Sequence, residues 1–482
     1  MTGAYAAEIR RSRITLAVLV GAAAAYAVQQ MMVYPALPEL GRHFHASPGR
    51  TGWVVTSFLL GAAALTPILG RLGDQYGKAK ILLVVLVMFL AGSIGSAFAS
   101  NIWWLIGFRG LAGCGTAIFP LSYGIVRDEF PRERVKLGIG LLSSVLGFGG
   151  GFGAVASGAV IDNLSWRWLF VIGSIPVAVA ALLVWRFVPR SPARAETQRL
   201  DIAGSLLLCG SLLALLVAIS EGAGFGWTST ATLGLVGLAL VLAGVLVVVE
   251  RGRRSYALLD FEVMGARPML LGSFASMTVG FTYFSSFVLV PQLVEIHPPL
   301  GASGHYVGFG ASATQAGLYL VPSSIMMLAC GPAAGFFGRR FGSRISLAAG
   351  LALASVGATG LAVWHGSVVH VIVGIAALGG GIGASLASLA GLMIELSPPT
   401  QTGIVNGMNT VIRTIGGALG GQFAAALLAS AVVAGQSVPT EGGFRNAFWI
   451  AAVASGLGAL TALFARPSGR RFQEPVVSQV EA

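Results

Sequence analysis

Apolar runs of membrane-crossing length constrain this chain more than any other feature. Fourteen of them, bounded by charges and Pro/Gly turns, lie near 14–37, 52–70, 81–100, 103–126, 137–161, 167–188, 202–220, 231–249, 268–294, 311–335, 345–364, 368–395, 402–433 and 444–465. A helix of about 20 apolar residues crosses the hydrocarbon core. No connection is long enough to fold as a soluble domain. With 55% hydrophobic and 10% charged residues, against about 25% charged in soluble domains, so much apolar surface has no place in water. A soluble enzyme and a nucleic-acid binder are excluded, despite the net charge of +12.

The placement of that charge sets the topology. With the N-terminus inside, 24 of the 30 Lys and Arg residues fall on cytoplasmic segments. Four face outside (Arg42, Arg50, Arg167 and Arg445), and two, Arg109 and Arg413, lie within spans. Lys and Arg accumulate on the cytoplasmic side, so both termini are expected inside. The basic loops then meet anionic lipid headgroups. The first run, preceded by Arg10, Arg11 and Arg13, is too long for a signal-peptide core and is read as a retained span.

An internal repeat divides the chain. Gly70 to Lys80 reads GRLGDQYGKAK, and Gly335 to Ile345 reads GFFGRRFGSRI. Both carry G-x-x-G-x-x-x-G between two spans on the cytoplasmic side. Trp166-Arg167-x-x-Phe170 is echoed by Phe444-Arg445-x-x-Phe448. Parallel repeats of this kind build secondary transporters. The expected architecture is an all-α integral membrane protein of two pseudo-symmetric six-helix bundles plus two inserted transmembrane helices. The N-terminal bundle covers 1–190, the inserted pair 191–267, and the C-terminal bundle with its cytoplasmic tail 268–482.

These residues resemble the major facilitator superfamily. GRLGDQYGKAK is similar to its loop motif, and so are the preceding WVVTSFLLGAAALTPILGRLGD, Arg109-Gly110-Leu111-x-Gly113 in span four and LSWRWLF opening span six. With fourteen spans, the chain resembles the drug:proton antiporters of the multidrug and antibiotic efflux branch. The resemblance implies export of hydrophobic or amphipathic compounds across a bacterial inner membrane, in exchange for protons, by alternating access. The alternative is an exporter of a specific endogenous metabolite or lipid, with different or no proton coupling. Small-molecule substrates, protons and membrane lipids are the expected partners of a monomer that binds no nucleic acid and needs no cofactor.

The resemblance also assigns residues. Gly70, Arg71, Asp74, Gly77 and Lys78 form the loop motif, whose carboxylate, Asp74, would face the start of span thirteen near Thr400–Thr402. Helix N-termini favour negative charge. Arg71, Lys78 and Arg134 would complete a charge cluster across the halves that holds the cytoplasmic side shut; a topogenic turn without a gating role is the plainer alternative. Arg339 replaces the acid in the second copy. Gly149, Gly153 and Gly158 in span five resemble the antiporter packing motif, with Ala154 where that motif has proline. Small residues at this spacing let helices approach closely. The drug:proton relatives also carry an acid in span one, before an Ala-Leu-Pro like Ala36-Leu37-Pro38; here Gln29 and Gln30 stand in its place.

The residues themselves point to further candidates. Intramembrane charges are expensive and functional by default, which singles out Arg109 and Arg413. Asn406, Asn409, Thr410 and Arg413 share one helical face and make a polar stripe. Proton carriage needs a carboxylate in partial burial; Glu395 is the first candidate and Asp128 the second, with Glu221 and Glu295 also near helix ends. Gln29, Gln30, Tyr34, Tyr123, Tyr283, Phe284 and Gln292 are candidates for lining a substrate cavity with the stripe. No metal-ligand spacing, no clustered catalytic set and no GxxxxGK[ST] nucleotide loop occurs.

Overall fold

The structure is a computed structural model and describes residues 2–130, 132–189, 202–252, 265–296, 308–396, 402–432 and 439–466. Among these the regular secondary structure is helical, with one isolated bridge between Val432 and Pro439.

The helices of the first half are α1 (Thr2–Met31), α2 (Leu37–His43), α3 (Pro48–Tyr76), α4 (Lys78–Ala97), α5 (Ile102–Ala112), α6 (Ile118–Glu129), α7 (Arg132–Asn163) and α8 (Arg167–Phe187). The inserted pair is α9 (Ile202–Phe225) and α10 (Thr230–Gly252). The second half holds α11 (Arg267–Glu295), α12 (Ala313–Phe341), α13 (Ser343–Val363), α14 (Val368–Leu396), α15 (Thr402–Ser430) and α16 (Glu441–Phe464). Among the described residues thirteen segments are long and apolar enough to cross a membrane. The 32-residue α7 occupies the position of the fifth span, which completes the fourteen.

Local chemistry sets the boundaries. The last glycine of each loop motif, Gly77 and Gly342, sits at φ 97° and φ 89°. Only glycine adopts such angles freely, so each ends one span and starts the next. The sequence repeat is thus a repeat of backbone conformation. Ser47, Asn101, Ser312 and Thr440 cap α3, α5, α12 and α16 by accepting backbone N–H bonds, as short polar residues do at helix starts.

Span four, expected as one run, is two helices joined by a 3₁₀ turn at Gly113–Ala117. The reason is steric. A methyl group on Gly113 would overlap the carbonyl of Phe58 on α3, and one on Gly61 that of Gly110. The two backbones touch here, and the glycine-rich segment bends to allow it.

The two most extensive pairings between the halves are α7 with α12 and α3 with α15, with a smaller one between α2 and α11, while α9 docks on both α3 and α15. Trp53 donates through Nε1 to Ser220 Oγ at 3.0 Å, which fixes α9 to the outer end of α3. The inserted pair therefore leans on a seam between the halves.

Candidate functional site at the seam between the halves

The outer side of the seam is closed by backbone proximity. Helices α7 and α12 meet where a methyl on Gly158 would overlap Ala313 O and Thr314 Cα, and one on Gly317 would overlap Ala154 O. One turn beyond Gly158, Asp162 accepts from Ala313 N at 3.1 Å and from Thr314 N at 2.9 Å. A first-half carboxylate thus binds the N-terminus of a second-half helix, where the dipole favours it. Burial pushes the Asp162 carboxyl up, but hydrogen bonds from Thr314, Ser312 and Ala313 outweigh it and hold it below the usual carboxylate range. A depressed carboxylate stabilises a contact above its ordinary pKa of about 3.9 and loses that effect as pH falls through the lowered value. This contact is therefore fully formed at neutral pH.

The opposite flank closes through Thr56, which donates to Gln422 Oε1 at 3.0 Å, while Gln422 Nε2 donates to Gly49 O at 3.4 Å. Between the flanks, Tyr283 OH donates to Met31 Sδ at 3.8 Å. Tyr34 packs edge-on against Phe287 at 5.7 Å between ring centroids. The apolar plug beneath the outer surface is thus aromatic and drawn from both halves.

Below this plug lie the candidate polar groups. Arg109 is 1% exposed. Its Nε donates to Val54 O at 3.3 Å, its guanidinium lies 4.3 Å from the Phe58 ring centroid, and Nη1 is buried with no partner among the described residues. Arg413 is half-buried. It lies within electrostatic range of Tyr123 and Tyr26 from the first half and of Tyr283 from its own. Tyr26 is coupled to both arginines and shares a 2.7 Å hydrogen bond with Thr116. Gln29 is buried with both amide atoms unpartnered among the described residues, and so is Asn409 Oδ1. Gln30 is buried, while Gln292, outward of Phe287 on α11 and so above the plug, is half-buried.

The packing glycines divide their work. Gly149 and Gly153 face α1, where added methyls would press on the Ala27 backbone carbon at 2.7 Å and on Val28 O at 2.5 Å. Gly158 faces α12.

At the cytoplasmic end, Lys78 Nζ pairs with Asp128 Oδ2 at 2.7 Å, a contact within the first half. This pair also gives Asp128 a fixed cation. Glu395 accepts from Ser343 Oγ at 2.5 Å. It is exposed rather than partly buried, because it lies away from the face of the last turn of α14 that buries Leu392, Met393 and Leu396. Ser220 Oγ donates to Glu221 Oε1 at 3.4 Å, and Glu295 is half-buried with one carboxylate oxygen unpartnered among the described residues. Thr400 lies outside the described residues, and the side chains of Arg71, Asp74, Arg134, Arg339, Thr402 and Asn406 lie outside the described ones.

Sequence reasoning missed Asp162, Gln422 and Tyr26. Asp162 reads as one more helix-end acid, and Tyr26 as a packing aromatic. Gln422 carried a usable signal, as a lone amide in the apolar stretch Gly416–Ala429.

Known proteins agree with this architecture. The sequence profile of the Major Facilitator Superfamily matches residues 19–420 and 269–480. The chain is 27% identical over 403 residues to the multidrug resistance protein Stp of Mycobacterium tuberculosis (strain CDC 1551 / Oshkosh), covering 83% of this chain and 73% of Stp. It is 26% identical over 417 residues to the tetracenomycin C resistance and export protein of Streptomyces glaucescens, covering 84% of this chain and 74% of that protein. Against an uncharacterized transporter of M. tuberculosis, MT1926, identity is 30% over 427 residues, 87% of this chain and 59% of that one. The fold is similar to that of an auto-inhibited POT family peptide transporter, with TM-score 0.66, 17% identity, and coverage of 95% of this chain and 97% of that one. The chain is a multi-pass membrane transporter that belongs to the Major Facilitator Superfamily.

Proposed function

We propose that the chain exports hydrophobic or amphipathic compounds, drugs and antibiotics among them, from the bacterial cytoplasm in exchange for protons. One observation carries the alternating-access part of this reading. The outer closure is made of contacts between the halves, with Asp162 on the α12 N-terminus and Gln422 on Thr56 at opposite flanks. Contacts between rigid bundles are the ones that rocking makes and breaks. The export and resistance names of the relatives support the direction and the cargo.

In this reading Asp74 belongs to the matching cytoplasmic closure. Replacing it with asparagine is expected to slow turnover about tenfold while substrate affinity stays within about twofold, since a gate residue acts on the conformational step. Wild-type turnover in the Asp74→Asn protein would remove it from the gate. Of the proton-carrier candidates, Glu295 meets the burial requirement, being half-buried with a carboxylate oxygen unpartnered among the described residues, whereas Glu395 is exposed. Glu295→Gln is expected to abolish the pH dependence of flux, and an unchanged pH profile would pass the role to Asp128 or Glu395.

The direct test uses everted membrane vesicles from cells with and without the protein. Energised vesicles that contain it should accumulate at least one member of a panel of anionic, neutral and cationic aromatic compounds, and nigericin should collapse that accumulation. Equal accumulation in both vesicle sets would contradict export.

A further inference from the structure

Among the described residues, the two charges in the middle of the seam, away from its ends, are both cations. None of the 18 Asp and Glu residues lies more than about a turn inside a span, whereas Arg109 and Arg413 do. A cation in the middle of a membrane protein is expensive unless an anion or a set of acceptors meets it. Arg109 donates to Val54 O and lies over the Phe58 face, with Nη1 unpartnered among the described residues. Arg413 is the one of the two that keeps exposed surface. Tyr26, Tyr123 and Tyr283 lie within electrostatic range of it, and no described residue gives it a carboxylate.

Its accessibility matters. Arg413 sits near the middle of α15 and keeps exposed surface, although the outer side above it is closed. Its carbonyl abuts Gly280 on α11, so the backbone that carries it is fixed. One turn earlier, Asn409 is 5% exposed. A guanidinium presents five donors in a planar fork and accepts nothing. Its fork makes a donor-rich, positively charged surface. The group that matches it is a carboxylate or sulfonate, bound through paired charge-assisted hydrogen bonds. The neighbouring rings suit an aromatic body: Tyr123 lies 6.2 Å from Phe119, and Phe119 lies 5.7 Å from Tyr26.

We propose that the cargo is an aromatic organic anion, whose acidic group is held by Arg413 at the seam between the halves. This rests on the export reading above and narrows it to one charge class. An electropositive site also repels the lipophilic cations that a membrane-buried carboxylate would select.

The test compares naphthalene-2-sulfonate with (2-naphthylmethyl)trimethylammonium, which share a ring system and are both permanently charged. Each is loaded into proteoliposomes clamped at zero potential with potassium and valinomycin. The wild-type protein should move the sulfonate at least about tenfold faster than the ammonium. Arg413→Gln should reduce sulfonate flux about tenfold or more, and Arg413→Lys should restore part of it. Both variants are first checked for a monodisperse elution profile. Naphthalene fluorescence then gives sulfonate affinity in detergent, which should weaken in the same order. Equal or faster movement of the ammonium would overturn the anion proposal and leave export standing, as would undiminished sulfonate flux in Arg413→Gln. A wild-type protein that moves neither compound would overturn the export reading and this one with it.

Discussion

Replacing Gly280 with valine is expected to prevent the second half from assembling. Helices α11 and α15 cross with their backbones in contact. A methyl on Gly280 would overlap Arg413 O and stand 2.8 Å from its carbonyl carbon. From the other side, methyls on Gly416 and Gly420 would lie 2.7 Å from the Met277 and 2.8 Å from the Phe281 carbonyl carbon. Membrane helices associate through this kind of close approach, because lipid supplies no hydrophobic drive to replace it. Ser276 Oγ also donates to Asn409 O at 3.2 Å across the crossing, a bond that separation would break. Overpacking costs about 1–3 kcal/mol where side chains can yield, and a backbone carbonyl yields less than a side chain. Against a total stability of about 5–15 kcal/mol, Gly280→Val should lower the thermal midpoint by many degrees or leave only aggregate. Gly360 is the control. Nothing lies within 4 Å of its added methyl, so Gly360→Ala should elute and melt like the wild type. A wild-type melting profile for Gly280→Val would show that the crossing is not close-packed.

Valine at Gly158 is expected to give the opposite phenotype, a folded protein that does not turn over. This glycine meets Ala313 and Thr314 across the seam, not within a bundle. Each half can therefore assemble with the extra side chain, but the outer ends of α7 and α12 cannot close. Asp162, four residues on, then loses its reach to the Ala313 and Thr314 amides. A shift from 99:1 to 1:99 between two conformations takes about 5.5 kcal/mol. Backbone overlap combined with a lost charged contact is of that order. Transport should fall at least about a hundredfold while the melting temperature stays close to wild type. A cysteine placed at Ala154, which packs against Gly317 in the closed form, should become reactive to an external membrane-impermeant maleimide only in the Gly158→Val background. Normal transport with an unreactive cysteine would show that the outer contact is not part of the cycle.

Much of this organisation is legible in the sequence, and the physical reasons differ from residue to residue. Span number and orientation follow from apolar length and charge placement, which the bilayer imposes locally. The loop repeat is legible because Gly77 and Gly342 share a backbone angle that other residues resist. Arg109 and Arg413 stand out because charges are rare inside spans. The break in span four is not legible, since hydropathy averages across Gly113–Ala117 and its cause is a neighbour, Phe58, on another helix. The outer closure was hidden for the same reason. Asp162 gains its meaning from amides 151 and 152 residues away, and Gln422 from a hydroxyl 366 residues away. The stripe on α15 is visible as a stripe, but the tyrosines within electrostatic range of Arg413 come from three other helices. Glu395 shows the converse: a long apolar run suggested burial, and its face of the last helical turn decided for exposure.

The central claim is exchange of a solute for protons across the seam. Purified protein in sealed liposomes, with a trapped pH-sensitive dye and an imposed pH gradient, tests it most directly. Addition of an aromatic substrate should trigger proton movement that wild-type protein supports and Gly158→Val does not. Substrate movement at full rate with no change in internal pH would contradict proton antiport and leave a transporter driven by another ion or by the substrate gradient alone.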